Sequence, residues 1–492
     1  MVRDARLVPL RGVPAPPDPV DVHVQDGVVV RVGLDLDAPG AEEHRAGGRW
    51  LMPGLWDQHV HLGQWALSSQ RLDLSSARSL EEALALVRRR LEELPDVPVV
   101  GWGHRCATWA EQPRASHLDD VAGVRPVVLI SGDGHHGWLN TVALRGLHLP
   151  ERDGVVSESE WFAAYPRLAA LTDADGTSPD AYLHALRQAA ARGVTGLVDL
   201  EFDQAMSGWP ERSGAGAELL RVRVGAYAET VGDFLEAGLR TGEALPGCGP
   251  LVTMGPLKII SDGSLNTGTA WCASPYGQHG HGAPNLTAGE LRELLRLAVA
   301  HRLEVAVHAI GDAAVHEALT AYDETGATGS VEHAQLISRE DSRRMAALGV
   351  RASVQPAHLL DDRDLSERLW PDRTDRCFAL RWLLDDGVEV VLGSDAPVSP
   401  LDPWEAVAAA VHRSADDREP WHPELGLTVA EALGASTDGR GTVSAGSPAD
   451  LVLLDHDPLP RGTTAEQAAA LRAVHVAATW VAGALVHSDG SL

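Results

Sequence analysis

Two histidines separated by one residue, His59 and His61, are the first side chains in the sequence that could together bind a metal ion. The pair ends an apolar run, and alternate residues of a β-strand point to the same face, so both imidazoles can reach a single ion. By itself the pair is weak evidence, because the chain contains 22 histidines and an imidazole can also pack inside a core.

Three further metal-binding side chains, His308, His333 and Asp395, end later strand-like runs. All of these groups therefore lie at the carboxyl ends of candidate strands, the face on which α/β-barrel active sites are built. A histidine that only packs has no reason to prefer that face. Imidazole and carboxylate ligands suit zinc, iron, manganese, nickel or cobalt. The pattern predicts a divalent-metal centre.

The elements that would position these residues form a repeat. From residue 193 onward, short apolar runs alternate with longer amphipathic segments, which is typical of βα units around a parallel sheet. Thr287 and Ser338 fit helix N-caps, and Gly349 fits a helix end. Such units build a doubly wound sheet or a barrel, and eight strands favour a closed (β/α)8 barrel of the TIM type. The candidate strands cover residues 54–62, 194–200, 222–228, 256–260, 304–310, 331–334, 351–354 and 389–394.

Both ends of the chain fall outside this repeat. Residues 1–52 and 436–492 carry alternating strand-like runs, but each end alone has too few strands for an independent sheet. We expect the two ends to pair into a small accessory β-domain beside a barrel of residues 53–435. Residues 63–192 are then a long insertion after the first barrel strand, with a helix near 79–94 and strands near 97–101 and 126–131.

The composition of the chain disfavours some classes of binding partner. The chain has 41 Lys and Arg against 69 Asp and Glu, and its net charge of −28 opposes binding to nucleic acid or to anionic membranes. A small-molecule substrate fits better, and assembly into a homo-oligomer is left open. The four cysteines are far apart, and we find neither an apolar leader nor a membrane span. These features predict a cytoplasmic protein.

The motifs around the metal-binding candidates resemble those of the amidohydrolase superfamily, and the similarity covers nearly the whole chain. The superfamily motifs are Pro53-Gly-Leu-Trp-Asp-Gln-His-Val-His61, the single histidines His308 and His333, and Gly393-Ser-Asp395. Further segments resemble the amidohydrolase-3 branch, which includes N-substituted formamide deformylase: Asp133-Gly-His135, Asp262-Gly-Ser-Leu265, His308-Ala-Ile-Gly-Asp312 and Gly393-Ser-Asp-Ala-Pro397. The terminal segments Gly446-Ser-Pro-Ala-Asp450 and Val481-Ala-Gly483 resemble the family's returning β-domain.

The resemblance implies a set of metal ligands. Lys258, on the fourth candidate strand, corresponds to a lysine that reacts with carbon dioxide and bridges two ions as a carbamate. The alternative is an ordinary lysine that reaches solvent or pairs with Asp262. Two zinc ions are expected, with iron, manganese, nickel or cobalt as alternatives. The other implied ligands are His59, His61, His308, His333 and Asp395.

The implied chemistry is hydrolysis of a carbon–nitrogen bond other than a peptide bond, in an amide, a formamide or a cyclic amide-like substrate. A divalent cation generates a hydroxide nucleophile at neutral pH, and Asp395 can take the proton and pass it to the leaving nitrogen. Asp395 could instead cap a helix, although Asp402 is better placed for that role. A deaminase, an esterase or an isomerase on the same scaffold, or a non-catalytic metal-binding barrel, remain alternatives.

Several other polar and aromatic residues are candidates for the substrate pocket. His135 matches the family's Asp-Gly-His motif and is a candidate catalytic residue that contacts substrate or an oxyanion, with a structural loop role as the alternative. The family often has an arginine after the Asp-Gly-Ser-Leu segment, where this chain has Asn266-Thr-Gly-Thr269, so specificity does not carry over. The remaining candidates could line the pocket or support the metal ligands, and the alternative roles are core packing or helix capping. These candidates are Trp102, His104, His136, Asp262 and Asp312.

Overall fold

A computed structural model of the chain describes most of its residues in two compact units. One unit comprises Met1–Leu62 with Tyr182–Leu492, and the other comprises Gly63–Ala181. The described residues are 1–69, 71–74, 76–94, 97–104, 106, 109–131, 136–168, 171, 178–202, 205–265, 268–277 and 280–492.

The larger unit contains a barrel of eight parallel strands that follow one another in sequence order. The first and eighth strands are joined at their carboxyl ends, because Asp395 N donates to His59 O at 2.7 Å and His61 N donates to Ala396 O at 2.9 Å. The predicted (β/α)8 barrel is confirmed. Its strands are Leu55–Val60, Val194–Asp199, Arg221–Ala226, Val252–Ile260, Val305–Ala309, Gly329–His333, Arg351–Val354 and Val390–Leu392.

One strand differs clearly from its predicted bounds. The fourth strand begins at Val252 rather than at residue 256, and it runs through Pro256. Proline cannot donate a hydrogen bond to a strand ladder. The pairing register with the third strand shifts between Val224 and Ala226, opposite the proline. This irregularity lets the strand continue through a residue without an N–H group.

Helices separate the barrel strands, and their ends follow the predicted capping residues. Thr287 forms a capping box with Glu290, Ser338 accepts a hydrogen bond from Asp341 N, and Gly349 ends its helix in the left-handed conformation. In the part of the chain that the structure describes, every helix is too short or too polar to cross a membrane. Among the described residues from 178 onward, the α-helices are Pro179–Ala191, Ala205–Gly214, Val231–Glu236, Ala288–His301, Asp312–Thr325, Arg339–Leu348, His358–Leu369, Leu380–Asp385, Pro403–His412, Val429–Ala435 and Thr464–Arg472.

The two chain ends form one sheet, as the sequence predicts. The strand Trp50–Pro53 pairs antiparallel with Leu451–Leu454, so the C-terminal segment returns to the N-terminal one. Alternate residues of these strands pack in a common apolar core that includes Val22, Leu51 and Leu453. The strands of this sheet are Val2–Leu7, Val20–Gln25, Val28–Gly33, His44–Arg45, Trp50–Pro53, Leu451–Leu454, Val476–Val481 and Ala484–Ser488.

The smaller unit, Gly63–Ala181, has a five-stranded sheet of its own. The predicted helix near residues 79–94 is observed as Leu80–Glu93, and Ser79 accepts a hydrogen bond from Glu82 N at its start. The sheet consists of Leu72–Asp73, Val99–His104, Val127–Ser131, His136–Leu139 and Val156–Ser157. Further helices are Leu62–Ser69, Ala115–Ala122, Thr141–Gly146 and Glu158–Ala164.

Candidate metal centre

The metal-binding candidates converge at the carboxyl edge of the barrel. His59 lies in the first strand and His61 directly after it, and the other candidates lie in or directly after the fourth, fifth, sixth and eighth strands. Because the strands are parallel, their carboxyl ends meet at one edge of the barrel. This topology brings together side chains that are far apart in the sequence.

His59, His61 and Asp395 form the first group that could hold an ion. The Nε2 atoms of His59 and His61 lie 3.3 Å and 3.2 Å from Asp395 Oδ1. Their donor atoms all lie within 4.8 Å of one another, which permits contact with one common cation. His59 is 1% exposed and Asp395 is 8% exposed, so bulk water does not screen this group.

His308 and His333 lie beside the first group. Their ring centroids are 4.5 Å apart, and the His333 ring lies 5.1 Å from the His59 ring. His333 also forms a second possible ligand group with His358 and Asp395. Asp395 is common to both groups, so its carboxylate is placed to contact either ion.

Lys258 points into the same cluster. It is 2% exposed, and its Nζ donates to His59 Nε2 at 3.2 Å. Burial lowers the pKa of Lys258. A buried ammonium group next to the binding sites of cations is unfavourable, so the environment favours the neutral amine, the form that can react with carbon dioxide.

The protonation states of these residues are suitable for binding a cation. Among the described residues, His61 Nδ1, His308 Nε2 and His333 Nδ1 are buried atoms without a hydrogen-bond partner. Burial lowers the pKa of His308 to about 3, so the ring is neutral. Burial alone would raise the pKa of Asp395, but the neighbouring histidines hold it well below its usual value. Neutral imidazoles and an ionised carboxylate are the donors that a divalent metal requires.

A family model described as the amidohydrolase family matches residues 46–487. The chain belongs to the amidohydrolase family. Membership and the geometry of the cluster agree, and they make the chain a metal-dependent hydrolase of carbon–nitrogen bonds other than peptide bonds.

Individual relatives are distant but span most of the chain. N-substituted formamide deformylase of Arthrobacter pascens is 26% identical and covers 94% of this chain and 94% of its own length. The protein YtcJ of Bacillus subtilis is 26% identical over 89% of this chain and 91% of its own. A solved structure of a metal-dependent hydrolase from Pyrococcus horikoshii superimposes with a TM-score of 0.75 at 24% identity, covering 94% of this chain and 98% of that one. This likeness shows the fold.

In this amidohydrolase two carboxylates, Glu332 and Asp57, contact the ligand candidate His59, and neither was identified from the sequence. Glu332 Oε2 accepts a hydrogen bond of 2.7 Å from His59 Nδ1, and Ser330 Oγ donates to the other oxygen at 2.5 Å. Asp57 Oδ1 accepts from His59 N at 3.2 Å and from Ser394 N at 2.8 Å, which ties the first strand to the eighth. The available signal for Glu332 was a charged residue inside a short predicted barrel strand, next to the ligand candidate His333.

His358 was also missed. Its Nε2 lies 3.8 Å from Asp395 Oδ2, and its ring stacks on that of His333 with centroids 5.9 Å apart. His358 starts the helix that follows the seventh strand, Arg351–Val354, and is therefore on the catalytic edge of the barrel. The seventh strand carries no ligand candidate, and a histidine shortly after that strand was the signal that could have indicated His358.

The backbone of the amidohydrolase is held in unusual conformations at two of these residues. His333 has a φ of 71° and Asp395 has a φ of 57°, in the left-handed region that costs a non-glycine residue about 1–3 kcal/mol. Gly393 shows how closely the strands approach here, because a Cβ atom on it would lie 2.8 Å from His59 N. The eighth strand can therefore present Asp395 to His59 only with glycine at that position.

Asp262 and Asp312, the two carboxylates suggested as supports for the metal ligands, have different contacts. Asp262 lies 3.7 Å from His308 Nε2 and accepts backbone hydrogen bonds from Ile310, Gly311 and Trp271. Burial raises the pKa of Asp262 to about 7. The Asp312 carboxylate accepts from Ala273 N at 2.8 Å and lies 3.2 Å from Arg376, at the start of the helix Asp312–Thr325.

The remaining pocket candidates belong to the smaller unit. Trp102 and His104 are in the strand Val99–His104, and His136 begins the strand His136–Leu139. His135 lies outside the described residues. Asp402 caps the helix Pro403–His412 by accepting hydrogen bonds from Trp404 N and Glu405 N, which leaves Asp395 without that structural task.

Proposed function

We propose that the cluster at the carboxyl edge of the barrel is the active site, and that it hydrolyses the carbon–nitrogen bond of an amide, a formamide or a cyclic amide-like small molecule. The observation that carries this proposal is the shared carboxylate of Asp395. Its oxygens lie within 3.3 Å of two histidines and 3.8 Å of a third. A carboxylate in that position can both bind a cation and exchange a proton.

The proposed metal ligands form two sets. His59 and His61 with Asp395 would hold one ion, and His308 and His333 would hold the other, with Lys258 as the bridging carbamate. Zinc is the metal we favour, since imidazole nitrogen and carboxylate oxygen are its usual ligands, and iron, manganese, nickel and cobalt accept the same donors. A divalent cation supplies acidified water, whose pKa falls from about 15.7 to about 7, and polarises the substrate carbonyl.

Asp395 carries the proton in this proposal. As a carboxylate ionised at neutral pH, it can accept a proton as the carbonyl carbon is attacked. The same oxygen then delivers that proton to the departing nitrogen. His358, close to Asp395 Oδ2, keeps the carboxylate oriented, and Glu332 keeps the proton of His59 on Nδ1 so that Nε2 faces the cluster.

The substrate class rests on family membership and one named relative. Because a relative of similar length is an N-substituted formamide deformylase, N-substituted formamides belong at the head of a substrate screen. The segment that departs from the family pattern begins at Asn266, and residues 266–267 lie outside the described part of the chain. We therefore propose the bond type rather than one substrate.

The test is elemental analysis of the purified enzyme together with a screen of formamides, amides, cyclic amides, esters and amino-purines. We expect bound transition metal and turnover confined to carbon–nitrogen hydrolysis. Asp395→Asn should reduce kcat by at least about 10²-fold. Asp402→Asn, which removes a helix-capping carboxylate, is the matched control and should retain activity. Metal-loaded enzyme without activity on the whole panel, or an active Asp395→Asn variant, would show that the proposal is wrong.

We infer a cytoplasmic location from the cysteines. In the described part of the chain, Cys106, Cys248, Cys272 and Cys377 form no disulfides. Proteins of oxidising compartments usually use their cysteines in disulfides, so free thiols fit a reducing compartment.

A further inference from the structure

Three metal-binding side chains come together in the smaller unit, separately from the barrel cluster. They are His104, Cys106 and His136, and their donor atoms all lie within 4.8 Å of one another. His104 is fully buried and Cys106 is 5% exposed. Nothing in the proposed hydrolysis uses this group, which we name the thiolate cluster.

The sheet of the smaller unit builds the cluster from neighbouring strands. His104 ends the strand Val99–His104, Cys106 follows two residues later, and His136 begins the strand His136–Leu139. The strand Val127–Ser131 pairs with both of them, parallel on one side and antiparallel on the other. Strand pairing therefore fixes two of the three donor residues, His104 and His136, next to each other.

The orientation of the His104 ring is the observation that favours cation binding by the thiolate cluster. Its Nε2 lies 3.1 Å from Leu129 O, and a carbonyl oxygen only accepts, so Nε2 carries the proton. Nδ1 is then the nitrogen with a lone pair. Histidines that bind metals usually have their other nitrogen held in this way by a backbone carbonyl or a carboxylate.

The sulfur and the second imidazole are close enough to bind together. Cys106 Sγ lies 3.3 Å from His136 Nε2. With Zn–S of about 2.3 Å and Zn–N of about 2.0–2.1 Å, two tetrahedral ligands would be about 3.6 Å apart. A thiol–imidazole hydrogen bond alone would explain this contact, but it would not explain the third donor and its fixed orientation.

Two buried tryptophans lie beside the His104 ring of the cluster. The ring of His104 lies 5.8 Å from that of Trp109 and 6.3 Å from that of Trp138, and both tryptophans are buried. An apolar wall around nitrogen and sulfur donors strengthens their attraction for a cation. One thiolate with two imidazoles suits a borderline-soft ion such as Zn²⁺ or Co²⁺ rather than Ca²⁺ or Mg²⁺.

We propose that His104, Cys106 and His136 form a second transition-metal site, of zinc type, in the unit Gly63–Ala181. The Cys106 thiol loses its proton to solvent when the cation binds, and the thiolate with two neutral imidazoles leaves a net charge of +1 on a divalent site. Such a site would link two strands of the sheet through a metal instead of through a disulfide.

The test uses the full-length enzyme loaded with Co²⁺, because the proposed barrel ligands contain nitrogen and oxygen but no sulfur. A thiolate-to-cobalt charge-transfer absorption in the near ultraviolet therefore reports the thiolate cluster alone. We expect this absorption in the wild type, its loss in Cys106→Ser together with about one equivalent of metal, and its retention in the control Cys248→Ser. X-ray absorption at the cobalt edge of the wild type should also show a Co–S distance.

Two results would overturn the second site. One is a wild-type enzyme that binds cobalt with only nitrogen and oxygen neighbours. The other is a charge-transfer absorption that persists in Cys106→Ser. Because X-ray absorption needs only the wild type, it decides the question even if Cys106→Ser does not fold. Hydrolytic activity is not the readout, so failure here is separate from failure of the proposed function.

Discussion

Replacing Glu332 by glutamine should weaken metal binding without unfolding the barrel. The Glu332 carboxylate accepts a hydrogen bond from His59 Nδ1 at 2.7 Å, and the Glu332 and His59 side chains are 2% and 1% exposed. Burial alone would raise the pKa of Glu332, but the hydrogen bond from His59 lowers it overall. A buried carboxylate therefore makes the imidazole more basic and fixes its tautomer.

The size of the effect follows from what the substitution removes. Glu332→Gln keeps the shape and a hydrogen-bonding oxygen, but it removes the negative charge behind His59. Loss of such a partner typically costs 10- to 100-fold in metal affinity, or about 1.4–2.8 kcal/mol. We expect a loss in this range for the ion bound by His59, and a smaller effect on the other ion.

The assay is competition for Zn²⁺ between the metal-free enzyme and a chromophoric chelator, with circular dichroism to confirm folding. Glu304→Gln is the matched control, because Glu304 is a barrel carboxylate that pairs with Arg351 at 2.5 Å, away from the ligand cluster. A folded Glu332→Gln protein that binds zinc as tightly as the wild type would refute the proposed support of His59.

Three further predictions concern other parts of the same molecule. Lys258→Ala should lose about one metal equivalent and most of its activity, and small carboxylic acids should restore both in part, whereas unchanged metal content would argue against the bridge. Gly393→Ala would place a Cβ atom 2.8 Å from His59 N and should lower stability by about 1–3 kcal/mol in denaturant titrations, and a neutral result would show that the strands can separate. A hydrogen bond from Arg381 lowers the pKa of Glu431 from 4.5 to about 2, so this stabilisation is present above pH 4.5 and is lost as the pH falls toward 2. Glu431→Gln should therefore cost about 1 kcal/mol at pH 7, after allowance for solvent screening, and less at pH 3, and a difference independent of pH would contradict this.

The ligand candidates could be predicted from the sequence because two simple rules fix their positions. Alternation in a strand places His59 and His61 on one face, and parallel topology places every strand end at one edge. His308 and His333 needed only a correct strand assignment. The same rules indicated the closing barrel and the shared terminal sheet, since both depend on local pattern and on strand number.

The supporting contacts could not be predicted because they join residues without a local relationship. Glu332 and His59 are separated by 273 positions, and neither segment indicates that the two side chains meet. The start of the fourth strand at Val252 was also not predicted, since continuation through Pro256 depends on an irregular register with the neighbouring strand. The left-handed backbone at Asp395 likewise depends on the closure of the barrel.

The most direct test of the barrel metal centre is a crystal structure of the zinc-replete enzyme with anomalous difference maps. We expect one peak in contact with His59, His61 and Asp395, a second peak in contact with His308 and His333, and a carbamate on Lys258 between them. A single ion with unmodified Lys258 pointing away would contradict the bridged pair. The absence of any peak at this edge in zinc-replete crystals would contradict the metal centre itself.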